Sequence, residues 1–405
     1  YHRSHADGAN VIADAVAPHG GIVMWRAFVY GAHPETDRVN QAYDEFKPLD
    51  GKFRDNVILQ LKNGPLDFMP REPFHPLFGA MKSTRVGLEV QITQEYLGAS
   101  LQLAYLGPLF QEVLRADTFA QGPGSTVAKI IEAPMAGKAG SLMAGVANTG
   151  SDRDWTGHPL AAANWYAFGR LAWDPSNDSA AIAREWIRMT FSGDPAVVAA
   201  LGRMLDSSRE TVVNYSMPLG LHHIMATDYH YGPGPWAETS RADWTPSYYH
   251  RADAQGLGSD RSQPGTGALS RYAPGAARQW ADPDTCPENL LLWFHHVAWD
   301  HRMRSGRTLW DELCLHYQSG VDGARQLERD WASLAGLVDA ERYTHVRALL
   351  ERQAEDAAIW RDGCLLYFQQ FSKRPLPAGV EAPAHPLAYY EAIRLYYFPG
   401  NPSGK

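Results

Sequence analysis

Cysteine is scarce in this chain. Three residues, Cys286, Cys314 and Cys364, are scattered over 405 positions, too few and too far apart for a disulfide framework or a zinc site. They read as buried or idle thiols. Long apolar runs are also lacking. None reaches the ~18 uninterrupted residues that announce a membrane span. Basic runs are missing as well, and the formal net charge is -8, which argues against a nucleic-acid partner. No G-x-G-x-x-G follows an apolar run, so nucleotide binding has no support. Sixteen histidines are present, densest in "LHHIM" (222–223) and "FHHVAWDH" (295–301), yet no H-E-x-x-H occurs. No G-x-S-x-G elbow occurs either. Neither a metal nor an organic cofactor is expected. Few cysteines favour a reducing, cytoplasmic compartment. No secretory leader is visible at Tyr1, and an extracellular location stays open because the true N-terminus is expected to be missing.

Aromatic residues, by contrast, are plentiful: 13 Trp, 19 Tyr and 14 Phe. They suit either a large core or a carbohydrate platform. Four apolar runs bounded by turn residues occupy the first 150 positions: "GIVMWRAFVY" (21–30), "NVILQLK" (56–62), "VGLEVQIT" (86–93) and "SLMAGVAN" (141–148). Helical patterns alternate with them: "DGANVIADAVAPHG", "DRVNQAYDEF", "HPLFGAMKS", "LQLAYLGPLFQEVLRADTF" with a break expected at Pro108, and "PLAAANWYAFGRLAW". This alternation predicts a parallel sheet with crossover helices. Continuous apolar strands predict burial on both faces. Two architectures fit. One is an open doubly wound sheet. The other is half of a (β/α)8 barrel, since a closed barrel needs about 250 residues.

Beyond about residue 175 the strand pattern stops. "AAIAREWIRMTF", "AVVAALGRMLDSSRETVVNY", "ENLLLWFHHVAW", "ARQLERDWASLAGLV" and "ERYTHVRALLERQAEDAAIWRDGCLLYFQQF" read as amphipathic helices. Leu327, Trp331, Leu334 and Val338 repeat at helical spacing. Residues 251–283 read as a long loop. The division expected is 1–175 for the α/β part and 176–405 for a mainly helical domain.

Chemistry in parallel β/α sheets gathers at the C-terminal ends of strands. Those ends carry Arg26, then Lys62 followed by Asp67, then Glu95, then Asn148, Asp152 and Asp154. Arg26, Lys62, Asp67 and Glu95 are expected on one rim. Paired carboxylates suit acid, base or nucleophile work on sugars, and the cations suit an anionic substrate. Asp67 and Glu95 pairing with Lys62 and Arg26 as plain structural ion pairs fits the pattern equally well. Glu89, inside a strand, and Glu72, beside Arg71, read as structural.

The blocks "HADGANVIADAVAPHGGIVMWRAFVY", "DNVILQLKNGPLDFMPREPFHPLFG", "GLEVQITQEYLG" and "ANTGSDRDWTGHPLAAANWYAFGRLAWDP" resemble family 67 glycoside hydrolases, the xylan α-glucuronidases. So do "YHRADAQGLGSDRS" and "DPDTCPENLLLWFHHVAWDHRMRSGRTLWDELCLHY". The resemblance implies the second half of a TIM barrel followed by a mainly helical C-terminal domain. It implies inverting removal of glucuronic acid, or its 4-O-methyl ether, from xylo-oligosaccharides derived from glucuronoxylan, without metal or organic cofactor. Carried over by position, Asp67 and Glu95 become the base carboxylates, Lys62 and Arg26 bind the uronate carboxylate, and Trp244 lines a methyl pocket. The family's general acid would lie just upstream of the "HADGAN" block, so the chain as written is expected to be inactive alone. The helical domain implies a homodimer. Neither nucleic acid nor membrane is an expected partner. Two rival functions remain: a non-catalytic sugar-acid-binding protein on the same scaffold, and a barrel isomerase acting on sugar acids.

Overall fold

In a computed structural model, residues 3–29, 31, 35–97, 101–133, 140–149, 156–226 and 230–393 are described. The first of these form helix α1 (His5–Val16), strand β1 (Val23–Arg26), helix α2 (Arg38–Phe46), and strands β2 (Val57–Lys62) and β3 (Arg85–Gln91). Helices α3 (Gly107–Arg115) and α4 (Val127–Glu132) follow, then strand β4 (Met143–Val146) and helix α5 (Ala162–Trp173). The four strands pair in parallel in the order β1-β2-β3-β4. Every crossover therefore steps the same way, without the reversal that defines a doubly wound sheet. Central β2 and β3 are buried at every position, as their unbroken apolar runs predict. The edge strands are shorter than their sequence patterns suggest, and they keep exposed positions.

Two expected helices do not form as such, and one expected break falls where the sequence places it. Residues 75–83 make turns instead of a helix. Pro76 interrupts the pattern, and Gly79 has φ +85°, where an added Cβ would lie 2.3 Å from the Ala120 Cβ. The helical pattern around Pro108 is interrupted there, since residues 101–106 are not helical and α3 starts at Gly107. Pro108 sits in the first turn of α3, where its missing N–H has no intrahelical partner to lose. "ENLLLWFHHVAW" gives only one helical turn, α10 below, and then a short strand. Its four apolar residues Leu291 to Phe294 are buried on all sides. His295 Nε2 and His296 Nδ1 bond the Trp280 and Gly258 carbonyls at 2.7 and 2.9 Å, tying the backbone into a loop.

The second part is mainly helical: α6 (Ser179–Thr190), α7 (Pro195–Ser216), α8 (Pro246–His250), α9 (Pro274–Trp280), α10 (Leu291–Phe294), α11 (Leu309–Ala332), α12 (Ala340–Ser372) and α13 (Leu387–Ala392). A two-stranded antiparallel pair joins β5 (Gly256–Leu257) to β6 (Val297–Ala298). Leu327 and Trp331 face the core from α11, while Leu334 is buried in the turn beyond its end. The segment 251–283 is not a bare loop, since it holds β5 and α9. It is fastened by Arg261, whose Nε lies 2.9 Å from Asp37 Oδ2. Asp37 also caps α2 through the Val39 N–H at 3.0 Å. One apolar core runs from the sheet through α6, α7, α11 and α12. All three cysteines are free and buried. Among the described residues no helix is long and apolar enough to cross a membrane.

A buried polar network couples the two parts. Asp356 of α12 accepts from the Tyr231 hydroxyl, from Gln102 Nε2 at 2.9 Å and from Arg352 Nε at 3.0 Å. Neighbouring Gln353 grips both backbone groups of Leu103. Asp356→Ala would leave the Tyr231 hydroxyl without this acceptor, and the Gln102 amide with only the Tyr231 oxygen at 2.6 Å. We expect a loss of about 2–3 kcal/mol, at about 1–3 kcal/mol for each buried donor left unsatisfied, read as a lowered urea midpoint at unchanged slope.

Candidate active site

The loop that leaves β2 is built around a buried carboxyl group. Glu72 accepts the Leu66 and Met69 N–H groups at 3.1 and 3.2 Å, so it braces the chain on both sides of Asp67. Burial, with the Asp67 charge adding to it, pushes the Glu72 carboxyl up to about 8. Glu72 is therefore structural, but not through Arg71, which pairs with Glu210 at 3.0 Å. Phe68 takes a positive φ of 53°, a conformation that bulky side chains adopt only when their surroundings enforce it. Burial and the Lys62 charge drive the neighbouring His75 down to about 3, so it is neutral.

Asp67 is thus held with both oxygens engaged. Lys62 Nζ donates to Oδ1, and the Tyr96 hydroxyl donates to Oδ2 at 2.6 Å. Lys62 is only 6% exposed, with its ammonium 3.5 Å from the Phe28 ring centroid and 4.4 Å from that of Phe68. Burial, together with the charges of Asp67 and Glu95, keeps the Tyr96 phenol well above its ordinary range, so it stays a donor.

Glu95 opens the turn after β3. Its N–H bonds Gln91 Oε1 at 3.0 Å, and its Oε1 lies 2.9 Å from His230 Nδ1. The His230 and Tyr96 rings sit 5.3 Å apart. A short chain of contacts, Asp67–Tyr96–His230–Glu95, therefore links the carboxylates at the exits of two adjacent strands. Beside it opens a narrow cleft of about 30 Å³ lined by Arg38, Asp67, Tyr96, His223, Met225, His230, Trp244 and Tyr249. His223 stacks on Tyr249 at 4.3 Å and 19°. Burial, then the Arg38 charge, pushes it well below the usual imidazole range, so it is neutral.

Of the five residues singled out by sequence, Asp67 and Trp244 line the cleft, and Glu95 bonds to its wall. Lys62 reaches it through Asp67. Arg26 is instead held by two bonds to the fully buried Glu89, at 2.8 and 2.6 Å. Asn148 donates its N–H to Thr93 Oγ1 at 2.7 Å, while Asp152 and Asp154 lie outside the described residues. Sequence reasoning missed Arg38, Tyr96, His230 and Tyr249 and considered His223 only as a metal ligand. Tyr96 had a signal, its place next to Glu95. The others are brought in by segments distant in sequence. Among the described residues no group of three or more His, Cys, Asp or Glu side chains could hold a metal ion.

Comparison with known proteins adds a family. The middle-domain model of glycosyl hydrolase family 67 matches residues 1–155. The C-terminus model of the same family matches residues 156–381. The chain is 41% identical over 392 residues to alpha-glucuronidase A of Emericella nidulans, covering 94% of the chain and 46% of that relative. It is 42% identical over 381 residues to a probable alpha-glucuronidase A of Neosartorya fischeri, covering 92% and 45%. Alpha-glucuronidase A of Aspergillus tubingensis is 38% identical over 388 residues, covering 94% and 46%. The chain spans about half the length of these curated relatives. With consecutive family models matched from residue 1 to residue 381, the chain belongs to glycosyl hydrolase family 67.

Proposed function

We propose that the protein carrying this chain is an inverting glycoside hydrolase that releases glucuronic acid, or its 4-O-methyl ether, from xylo-oligosaccharides. One observation carries the reading. Asp67 and Glu95 stand at the exits of neighbouring parallel strands, joined through Tyr96 and His230 beside a small cleft. The sheet is read as the second half of a (β/α)8 barrel, whose strand exits face the substrate. The relatives' name, alpha-glucuronidase A, supports the same substrate class.

In this reading Asp67 and Glu95 both serve the attacking water. One takes its proton while the other orients it, and neither is assigned to protonate the leaving oxygen. Lys62 and Arg26 bind the uronate carboxylate, each alongside the chain carboxylate it already holds. Trp244 forms an apolar wall suited to sugar C–H groups or a methyl ether. Displacement from the face opposite the leaving group inverts the anomeric centre.

The complete gene product should release β-configured uronic acid from α-linked glucuronoxylo-oligosaccharides. Proton NMR during the first minutes, before mutarotation, reads this directly. Release of the α-anomer would replace inversion by retention. Tight binding of the oligosaccharide with no release would favour a sugar-acid-binding protein instead.

A further inference from the structure

His230 and its neighbour Tyr231 are bound to different parts of the protein. His230 lines the cleft, its Nδ1 2.9 Å from Glu95 Oε1 and its ring 5.3 Å from that of Tyr96. A carboxylate only accepts, so Nδ1 carries the hydrogen of this bond. Tyr231 is 1% exposed. Its ring packs with Leu101 and Leu349, and its hydroxyl donates to Asp356 of α12. The backbone of His230 is itself constrained. It has φ +56°, a left-handed conformation uncommon outside glycine, and its N–H bonds the Ala226 carbonyl at 2.9 Å. Residues 224–226 lie beside 232–234, with the Ala226 N–H 3.0 Å from Gly232 O and the Gly234 N–H 2.9 Å from Ile224 O.

The Glu95 side of the contact reaches the same stretch of α12. Gln102 Nε2 donates to Asp356 Oδ2 at 2.9 Å and to the Tyr231 oxygen at 2.6 Å, and Gln353 holds both backbone groups of Leu103. One turn of helix, from Gln353 to Asp356, thus ties down both sides of the His230–Glu95 pair. The Glu95 carboxylate is otherwise loosely held. Among the described residues its Oε2 meets only the Gln91 amide, at 3.4 Å, whereas Asp67 is engaged at both oxygens. We propose that His230 is the positioning residue for Glu95: its Nδ1–H fixes Oε1, Oε2 is left to face the attacking water, and α12 sets the place of the imidazole through Tyr231. This deepens the proposed function and rests on it. The gain is one of orientation. A glutamate held at neither oxygen samples several rotamers, and a reacting group misplaced by about 1 Å costs about 10²-fold in rate.

Kinetics of the complete protein on glucuronoxylo-oligosaccharides compare wild type with His230→Gly, His230→Asn, His230→Gln and Tyr231→Phe. Glycine accepts the positive φ but brings no donor. Asparagine also tolerates it and puts an amide N–H near the place of Nδ1, whereas glutamine carries its amide out to the place of Nε2. His230→Gly should lower kcat by about 10²-fold with KM nearly unchanged, since the lost contact serves the water and not the bound sugar. His230→Asn should regain about tenfold of that loss, and His230→Gln should resemble His230→Gly. Tyr231→Phe should lower kcat by a smaller factor and add nothing to His230→Gly, because both act on one contact. A residue needed only for its turn would give wild-type kcat in His230→Gly, and that result would overturn the assignment while leaving the hydrolase reading standing. Should His230→Gly not fold, equal kcat in His230→Asn and His230→Gln would overturn it. Losses in Tyr231→Phe and His230→Gly that multiply in the double variant would overturn the link to α12. If the wild-type protein releases no uronic acid, the functional reading fails and the role of His230 with it.

Discussion

Asp67→Asn should lower kcat for glucuronyl release by about 10²- to 10⁴-fold, the usual contribution of a positioned general base. Asparagine keeps the shape of the side chain but cannot accept the water's proton. One amide position must also face either Lys62 Nζ or the Tyr96 hydroxyl, both of which now donate to the carboxylate. Lys62 is the more serious of the two. It is almost fully enclosed between Phe28 and Phe68, and removing its counter-ion leaves a buried charge unpaired, which destabilises by about 3–5 kcal/mol in comparable settings. The variant should therefore fold with a lower urea midpoint, and the kinetic comparison belongs at a temperature where circular dichroism shows both proteins native. Glu95→Gln is the matched control. It is a third exposed and contacts no buried cation, so it should reduce kcat without a comparable stability loss. If Asp67→Asn keeps more than about a tenth of wild-type kcat, Asp67 does not take the proton and Glu95 becomes the sole base.

The parts of the site that were legible in the sequence are those fixed by local pattern. Continuous apolar runs locate β2 and β3, and the polar residues just past them, Lys62, Asp67 and Glu95, mark the exits. Glu72 reads as structural, although its partners turn out to be backbone N–H groups and not Arg71. Arg38 was not legible. After the cap Asp37 it looks like ordinary helix surface. Its burial comes from Tyr249, 211 positions away in sequence. His230 is likewise tied to Glu95 across 135 positions, and its neighbour Tyr231 is tied to Asp356 across 125. These contacts depend on the docking of the helical part against the sheet, which no local periodicity encodes. The helix misread in "ENLLLWFHHVAW" has the same origin. A segment apolar on every side reports burial, while His295 and His296 decide its backbone path.

Gly64→Ala should disable the same site from beneath, through packing alone. A Cβ at residue 64 would stand 1.9 Å from Glu72 Cδ and 2.4 Å from its Oε2, so the buried carboxyl must leave. With it go the bonds to Leu66 and Met69, and the loop that places Asp67 against Lys62 and Tyr96 loses its brace. Two orphaned N–H groups, at about 1–3 kcal/mol each, predict a loss of roughly 4 kcal/mol and a fall in kcat without any change to a reacting group. The pH dependence separates this route from simple overpacking. Burial pushes the Glu72 carboxyl up to about 8 in the folded protein, against its ordinary value of about 4.5 when unfolded. Its stabilising contribution is thus fully present below about pH 4.5 and lost as pH rises to about 8, at up to about 1.4 kcal/mol per unit. Gly64→Ala, which expels the carboxyl, and Glu72→Gln, which cannot titrate, should both lack that slope. The stability gap between wild type and Gly64→Ala should then be widest near pH 5 and narrow towards pH 8, measured by urea titration at each pH. A gap of equal size at both values would mean that Glu72 stays in place and that its ionisation plays no part in holding the Asp67 loop.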